Sequence, residues 1–80
     1  MESFTLEQVS LHNKIDDLWI IVDDHVFNMT EYQHKHPGGT FVLRKFAGTD
    51  CTEVFNQFGH VDAYHIMDML CIGVVKKLNI

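Results

Sequence analysis

Cysteine is scarce in this 80-residue chain: Cys51 and Cys71 stand 20 apart, in no CxxC arrangement, and two are too few for a disulfide scaffold. They read as buried thiols in a reducing compartment, so a chain with so small a core lacks the covalent staple it would normally need. Basic residues are scarce as well. Six Lys and Arg face eleven Asp and Glu, giving a net charge of −5 with no basic stripe, which excludes nucleic acid as a partner. Long apolar runs are missing: the longest, residues 18–22 and 69–75, fall far short of the roughly twenty residues of a membrane span. Glu2 and Glu7 occupy the place where a secretory signal would carry bases and then an apolar stretch, so no signal peptide is visible and a soluble, cytoplasmic protein is expected. There is no linker, low-complexity tract or solenoid repeat, and 46% hydrophobic with 21% charged residues is ordinary for one folded domain, residues 1–80.

Histidine, by contrast, is abundant: six residues, as many as Lys and Arg together, of a type whose commonest special task is metal ligation. Their setting follows from the local signals. Thr5 with Gln8 has capping-box spacing and Phe4 with Val9 staple spacing, which predicts a helix from Leu6 that frays near Asn13. The β-branched and aromatic run 18–22, then Asp23-Asp24, then residues 25–29, predicts a hairpin. Thr30 with Gln33 repeats the capping-box spacing and predicts a helix stopped at His36 by Pro37-Gly38-Gly39. A second helix follows with Val42, Leu43 and Phe46 on one face and Gly48 at its C-terminal cap. Asp50 with Glu53 caps a third, carrying Val54, Phe55 and Phe58 and stopping at Gly59-His60. Asp62 caps a last helix with Ala63, Ile66, Met67 and Leu70, and residues 71–75 read as a strand.

The middle of the chain thus holds two short helix pairs, each with a histidine at its turn, His36 and His60. Their apolar inner faces would leave a slot unless something flat and apolar filled it. Haem is such a filler, and imidazole is a good ligand for its iron. The glycines beside each histidine let the backbone approach a ring with no Cβ in the way.

These stretches resemble the cytochrome b5 domain family. The matching residues are Phe4-Thr5-Leu6-Glu7-Gln8-Val9, Leu18-Trp19-Ile20-Ile21-Val22, Val26-Phe27-Asn28-Met29-Thr30, His36-Pro37-Gly38-Gly39, Ala47-Gly48-Thr49-Asp50-Cys51-Thr52 and Phe58-Gly59-His60. The resemblance implies an α+β fold with a small mixed sheet at one end and two helix pairs forming a haem pocket at the other. It implies His36 and His60 as the two axial iron ligands, with Tyr32, Val42, Leu43, Phe55 and Phe58 lining the pocket. The cofactor implied is haem b, bound non-covalently, since thioether attachment needs a CxxCH pattern that is absent. With both axial positions filled, the expected role is one-electron carriage by a monomer that is not itself an enzyme. The implied donor is a flavin-containing, NAD(P)H-linked reductase, and the implied acceptor a desaturase, a hydroxylase or another cytochrome. Microsomal relatives continue into a membrane-spanning tail, so membrane association is expected only if such a tail has been removed.

Two departures stand out. Val61 replaces a serine that in the family helps hold a haem propionate, with Tyr64 as the candidate substitute in a turn one residue shorter than usual. Thr40, Phe41 and Lys45 fall where the family often carries acids, so association with a basic partner such as cytochrome c is expected to be weaker and less salt-sensitive than is usual for the family. Alternative readings are a haem-dependent sensor that exchanges one histidine for a small ligand, and a haem domain cut from a larger oxidoreductase. For His12, His25, His34 and His65 a surface or capping role is expected, and zinc spacings are absent. Trp19 reads as core in the sheet-bearing half, and Asp16, Asp17, Asp23 and Asp24 as turn or surface residues.

Overall fold

The computed structural model describes residues 1–35, 40–58 and 61–77; the side chains of residues 40, 58 and 61–65 fall outside the description. After strand β1 (Ser3–Phe4), Thr5 opens helix α1 (Leu6–Ser10) with the expected capping box: its hydroxyl accepts from the Gln8 N–H at 3.0 Å, and the Gln8 amide oxygen accepts from the Thr5 N–H at 2.8 Å. The helix stops at Ser10, short of the expected Asn13, where a two-residue strand β2 (Asn13–Lys14) takes over.

Strands β3 (Asp17–Val22) and β4 (His25–Asn28) form the expected hairpin, with Trp19 opposite Asn28 and Val22 opposite His25. Its two turn residues both have left-handed backbones, Asp23 at φ 50° and Asp24 at φ 64°, the twist that a two-residue hairpin requires. β5 (Cys71–Val75) pairs antiparallel with β4 and parallel with β1, giving a five-stranded mixed sheet in the order β1-β5-β4-β3-β2.

Both faces of this sheet are covered, which is why β3 reads as an unbroken apolar run. Leu18, Ile20 and Val22 point with Phe27 and Met29 into a cluster completed by Ala47, Cys51 and Met67 from the helical half. Ile21 and Val26 pack on the other side with Val9 of α1, and Phe4, Trp19, Ile72 and Val75 close that cluster. The helical half consists of a 3₁₀ turn (Tyr32–His34), α2 (Thr40–Lys45), α3 (Thr52–Phe58) and α4 (Val61–Leu70).

Residues 48–51 fasten this half to the sheet. The Gly48 N–H donates to the Trp19 carbonyl at 2.6 Å, Ile21 N–H to Thr49 at 3.0 Å, and Cys51 N–H to Ile21 at 2.9 Å, so the loop runs along β3 beyond the end of β2. Gly48 has φ +76°, and a Cβ there would stand 3.0 Å from Asn13 Cβ and 3.1 Å from the Ser10 carbonyl. Only glycine lets the chain turn this close to α1 and β2.

Three capping expectations need correction. Thr30 does not cap a helix: its hydroxyl accepts from the buried Leu18 N–H at 2.9 Å and donates to Asn28 at 2.7 Å, and a single 3₁₀ turn without a side-chain cap follows. Asp50 accepts from the Thr52 N–H at 2.9 Å and the Thr52 hydroxyl at 2.6 Å, an Asx turn that leads into α3 with Cys51 between. Helix α4 already includes Val61, which places Asp62 inside its first turn and not at its cap.

Candidate functional site

Of the residues expected to line a pocket, three converge. Tyr32 from the 3₁₀ turn, Leu43 from α2 and Phe55 from α3 all pack, half-buried, against the cluster of Leu18, Ile20, Val22, Phe27 and Met29, alongside Phe46 and Leu70. Val42 does not join them. One position from Leu43, it is turned about 100° around the helix axis and is 41% exposed. His36, its glycines and His60 lie outside the described residues, as do the side chains of Phe58, Val61 and Tyr64. In the sequence, His36 directly follows the 3₁₀ turn's last flanking residue, Lys35, and His60 directly precedes α4.

The turn ahead of His36 is held by a residue whose role the capping-box reading missed. Gln33 is fully buried, and its amide nitrogen donates to the carbonyls of Ile15 and Thr30, the latter at 2.8 Å, while its oxygen accepts from Arg44 Nε at 3.1 Å. One side chain therefore ties together the β2–β3 turn, the 3₁₀ turn and α2. A buried polar group is tolerated only when satisfied in this way. No local sequence signal marks it, because glutamine is usually exposed and its partners Ile15 and Arg44 lie 18 and 11 residues away.

An open cavity of about 340 Å³ lies at the junction of α2 and α3, lined by Phe46, Asp50, Cys51, Thr52, Glu53 and Val54. It takes Phe46 and Val54 from the helix faces expected to bound the slot but none of Tyr32, Val42, Leu43, Phe55 or Phe58, and its two carboxylates suit a flat apolar ligand poorly. Burial, reinforced by the neighbouring Asp50 carboxylate, pushes the Cys51 thiol up to about 11, so it stays protonated and inert at neutral pH. Cys71 is free and only half-buried, against the expectation of two buried thiols. Among the described residues, no group of three or more His, Cys, Asp or Glu side chains could hold a metal ion, and no helix is long and apolar enough to cross a membrane.

His12 departs from the surface role expected of it. Its ring stacks on Trp19 with centroids 3.5 Å apart and planes 5° from parallel, while Nδ1 sits 2.7 Å from an Asp17 carboxylate oxygen. Phe4 meets the same indole edge-on at 4.9 Å. This group belongs to the α1 face of the sheet, away from Tyr32, Leu43 and Phe55.

The residues in place suit a flat apolar guest on the helical side: an aromatic and aliphatic wall on the sheet's cluster, carried by short helices flanked by the two histidine segments. Known proteins bear on this directly. The chain is 44% identical over 78 residues to a cytochrome b5 of Candida tropicalis, covering 96% of this chain and 60% of that protein. It is 43% identical to an NADH-cytochrome b5 reductase-like protein alnC of Emericella nidulans, covering 94% of this chain but 17% of that one. It is 38% identical to an acyl-lipid (8-3)-desaturase B of Dictyostelium discoideum, covering 100% of this chain and 16% of that one. The chain thus spans less than two thirds of each of these relatives. Among solved structures, a cytochrome b5 of Ostreococcus tauri virus 2 superposes with a TM-score of 0.81 at 33% identity, covering 91% of this chain and 95% of that one. The family model described as the cytochrome b5-like haem/steroid binding domain matches residues 5–76. With that match across nearly the whole sequence and the α+β fold it calls for, the chain belongs to the cytochrome b5-like haem/steroid binding domain family.

Proposed function

We propose that this domain binds haem b non-covalently between His36 and His60 and carries single electrons from a flavin-containing, NAD(P)H-linked reductase to an acceptor such as a desaturase, a hydroxylase or another cytochrome. The observation that carries the reading is the convergence of Tyr32, Leu43 and Phe55 on one apolar cluster, in elements that border both histidine segments. Haem supplies a one-electron ferric/ferrous couple when bound. The chain's part is to present two imidazoles, to exclude water with the apolar wall and to hold the segment before His36 through Gln33. The family's name covers haem and steroid alike; two imidazoles favour iron, which a steroid does not bring. The occurrence of matching segments within a far longer reductase-like protein and a desaturase supports redox partners of these classes, and equally a domain belonging to a larger oxidoreductase.

Absorption spectra of the haem-reconstituted protein test this. Oxidised and reduced wild type is expected to show six-coordinate low-spin bands that are lost in both His36→Ala and His60→Ala, with little change under carbon monoxide. A high-spin wild type, or a carbon monoxide adduct formed readily, would replace the carrier with a ligand-exchanging sensor.

A further inference from the structure

The charge of this chain is divided unevenly. Residues 32–49 contain Lys35, Arg44 and Lys45 and no acid, a local charge of +3, while the other 62 residues hold eleven acids and three bases, −8, which together give the net −5. The basic stretch is carried by two joined elements. The 3₁₀ turn and α2 that carry it are tied by the Arg44–Gln33 hydrogen bond of 3.1 Å, and His34, Lys35, Arg44 and Lys45 are all exposed. None of the three cations meets a carboxylate: among the described residues the ion pairs are His12–Asp17 and Lys77–Asp24. Amid them Phe41 stands 78% exposed beside Val42 at 41%, and Lys45 lies with its ammonium 5.9 Å from the Phe46 ring.

An exposed aromatic side chain with cations three and four residues on along the same helix, Arg44 and Lys45, and a third, Lys35, at the end of the adjoining 3₁₀ turn has the anatomy of a protein-binding patch, with an apolar centre and a charged rim. We propose that the Lys35–Phe41–Lys45 surface is the docking face for a redox partner with an acidic, apolar-centred surface. This rests on the electron-carrier reading. Charge complementarity selects the partner: carboxylates opposite Lys35 and Lys45 gain an attraction that a basic partner loses to repulsion. At physiological salt, charges beyond about 8 Å are largely screened, so the local +3 governs docking in spite of the net negative charge. A membrane fits less well. Anionic bilayers recruit clusters of roughly four to eight bases, and here three sit on a chain that elsewhere carries −8.

The test uses the isotope-labelled haem-loaded protein, titrated at 100 mM salt with plastocyanin, an acidic copper protein, in its redox-inert cadmium form. Amide shifts are expected to centre on Lys35, Phe41 and Lys45. Binding should fall at least fivefold in Lys35→Glu/Lys45→Glu and about threefold in Phe41→Ser, yet less than twofold in Lys76→Glu/Lys77→Glu, which changes net charge equally at another site. A footprint elsewhere, or equal loss in the two charge-reversed variants, overturns the proposal. So does sedimentation with phosphatidylserine vesicles in the absence of plastocyanin binding, which would make the patch a membrane contact. Electron transfer to native plastocyanin separates the two readings: transfer without a footprint on this face removes the docking surface and leaves the carrier, whereas a footprint without transfer keeps the surface and removes the carrier.

Discussion

At the scale of single residues, Cys51 is the group whose environment most clearly departs from water. Its thiol is pushed from 9.0 to about 11, first by burial and then by Asp50. Between those values the unfolded chain has given up the proton and the folded chain keeps it, so folding binds a proton and stability falls as pH rises. Below pH 9 the contribution is constant; from pH 9 to about 11 it should drain away by roughly 2–3 kcal/mol, at 1.36 kcal/mol per unit, and then level off. Urea denaturation across pH 8–12 on the wild type and on Cys51→Ala measures it. The variant should lose packing energy at every pH but show a shallower decline above pH 9. Parallel declines in the two proteins would mean that the buried thiol is not the source.

At the scale of elements, the β3–β4 turn is the place where backbone and residue type agree least. Asp23 and Asp24 both adopt positive φ, a conformation that costs a non-glycine residue about 1 kcal/mol or more and that Asn-Gly adopts most readily. Asp23→Asn/Asp24→Gly is expected to raise stability by about 1 kcal/mol, a shift of some 4–8 °C in Tm for a domain of this size. The exposed Lys77–Asp24 pair at 2.9 Å offsets little of that, since solvent and salt screen a surface pair. An unchanged or lowered Tm in calorimetry would show the aspartates to be better suited to this turn than their backbone angles imply.

What could be read in advance divides along a physical line. Elements whose signals are satisfied within a few residues were legible: the Thr5–Gln8 cap of α1, the hairpin and the glycine at positive φ all follow from neighbours in sequence. Elements decided by distant partners were not. β1 and β2 are two residues each, with no alternation to display, and exist because β5 and β3 lie alongside them. Thr30 and Gln33 carry the spacing of a helix cap, but the buried Leu18 N–H and the carbonyl of Ile15 compete for their side chains and win. A buried donor left unpaired costs about 1–3 kcal/mol, more than a cap on a short exposed helix returns. The site behaves in the same way. Leu43 and Phe46 pack on the sheet's cluster, as the helical period of α2 suggests, and Tyr32 and Phe55 join them from other elements, whereas Val42, expected on the same face, is 41% exposed.

At the scale of the whole molecule, the sheet divides two apolar clusters of unequal self-sufficiency. The α1 side is closed by its own residues, with Val9 and Val26 fully buried. The other side is roofed by Tyr32, Leu43, Phe46, Phe55 and Leu70, all only partly buried, on or beside a three-residue 3₁₀ turn and helices of six to ten residues. Helices this short hold together through packing, not through propensity. A ligand that binds only the folded roof would therefore stabilise it by mass action, about 4 kcal/mol at a thousand times its Kd. Hydrogen exchange on the apoprotein should then find β3, β4 and β5 protected and α2 and α3 exchanging freely. At the seam between the halves, protection should survive at Ile21 of β3 and at Cys51, whose amides are tied between strand and loop at 3.0 and 2.9 Å. Haem should restore α2 and α3, by up to about a thousandfold at that excess, and leave the strands nearly unchanged. Equal protection of helices and strands before haem is added would show instead that the apolar roof stands without a guest, and would place the small core's missing staple elsewhere.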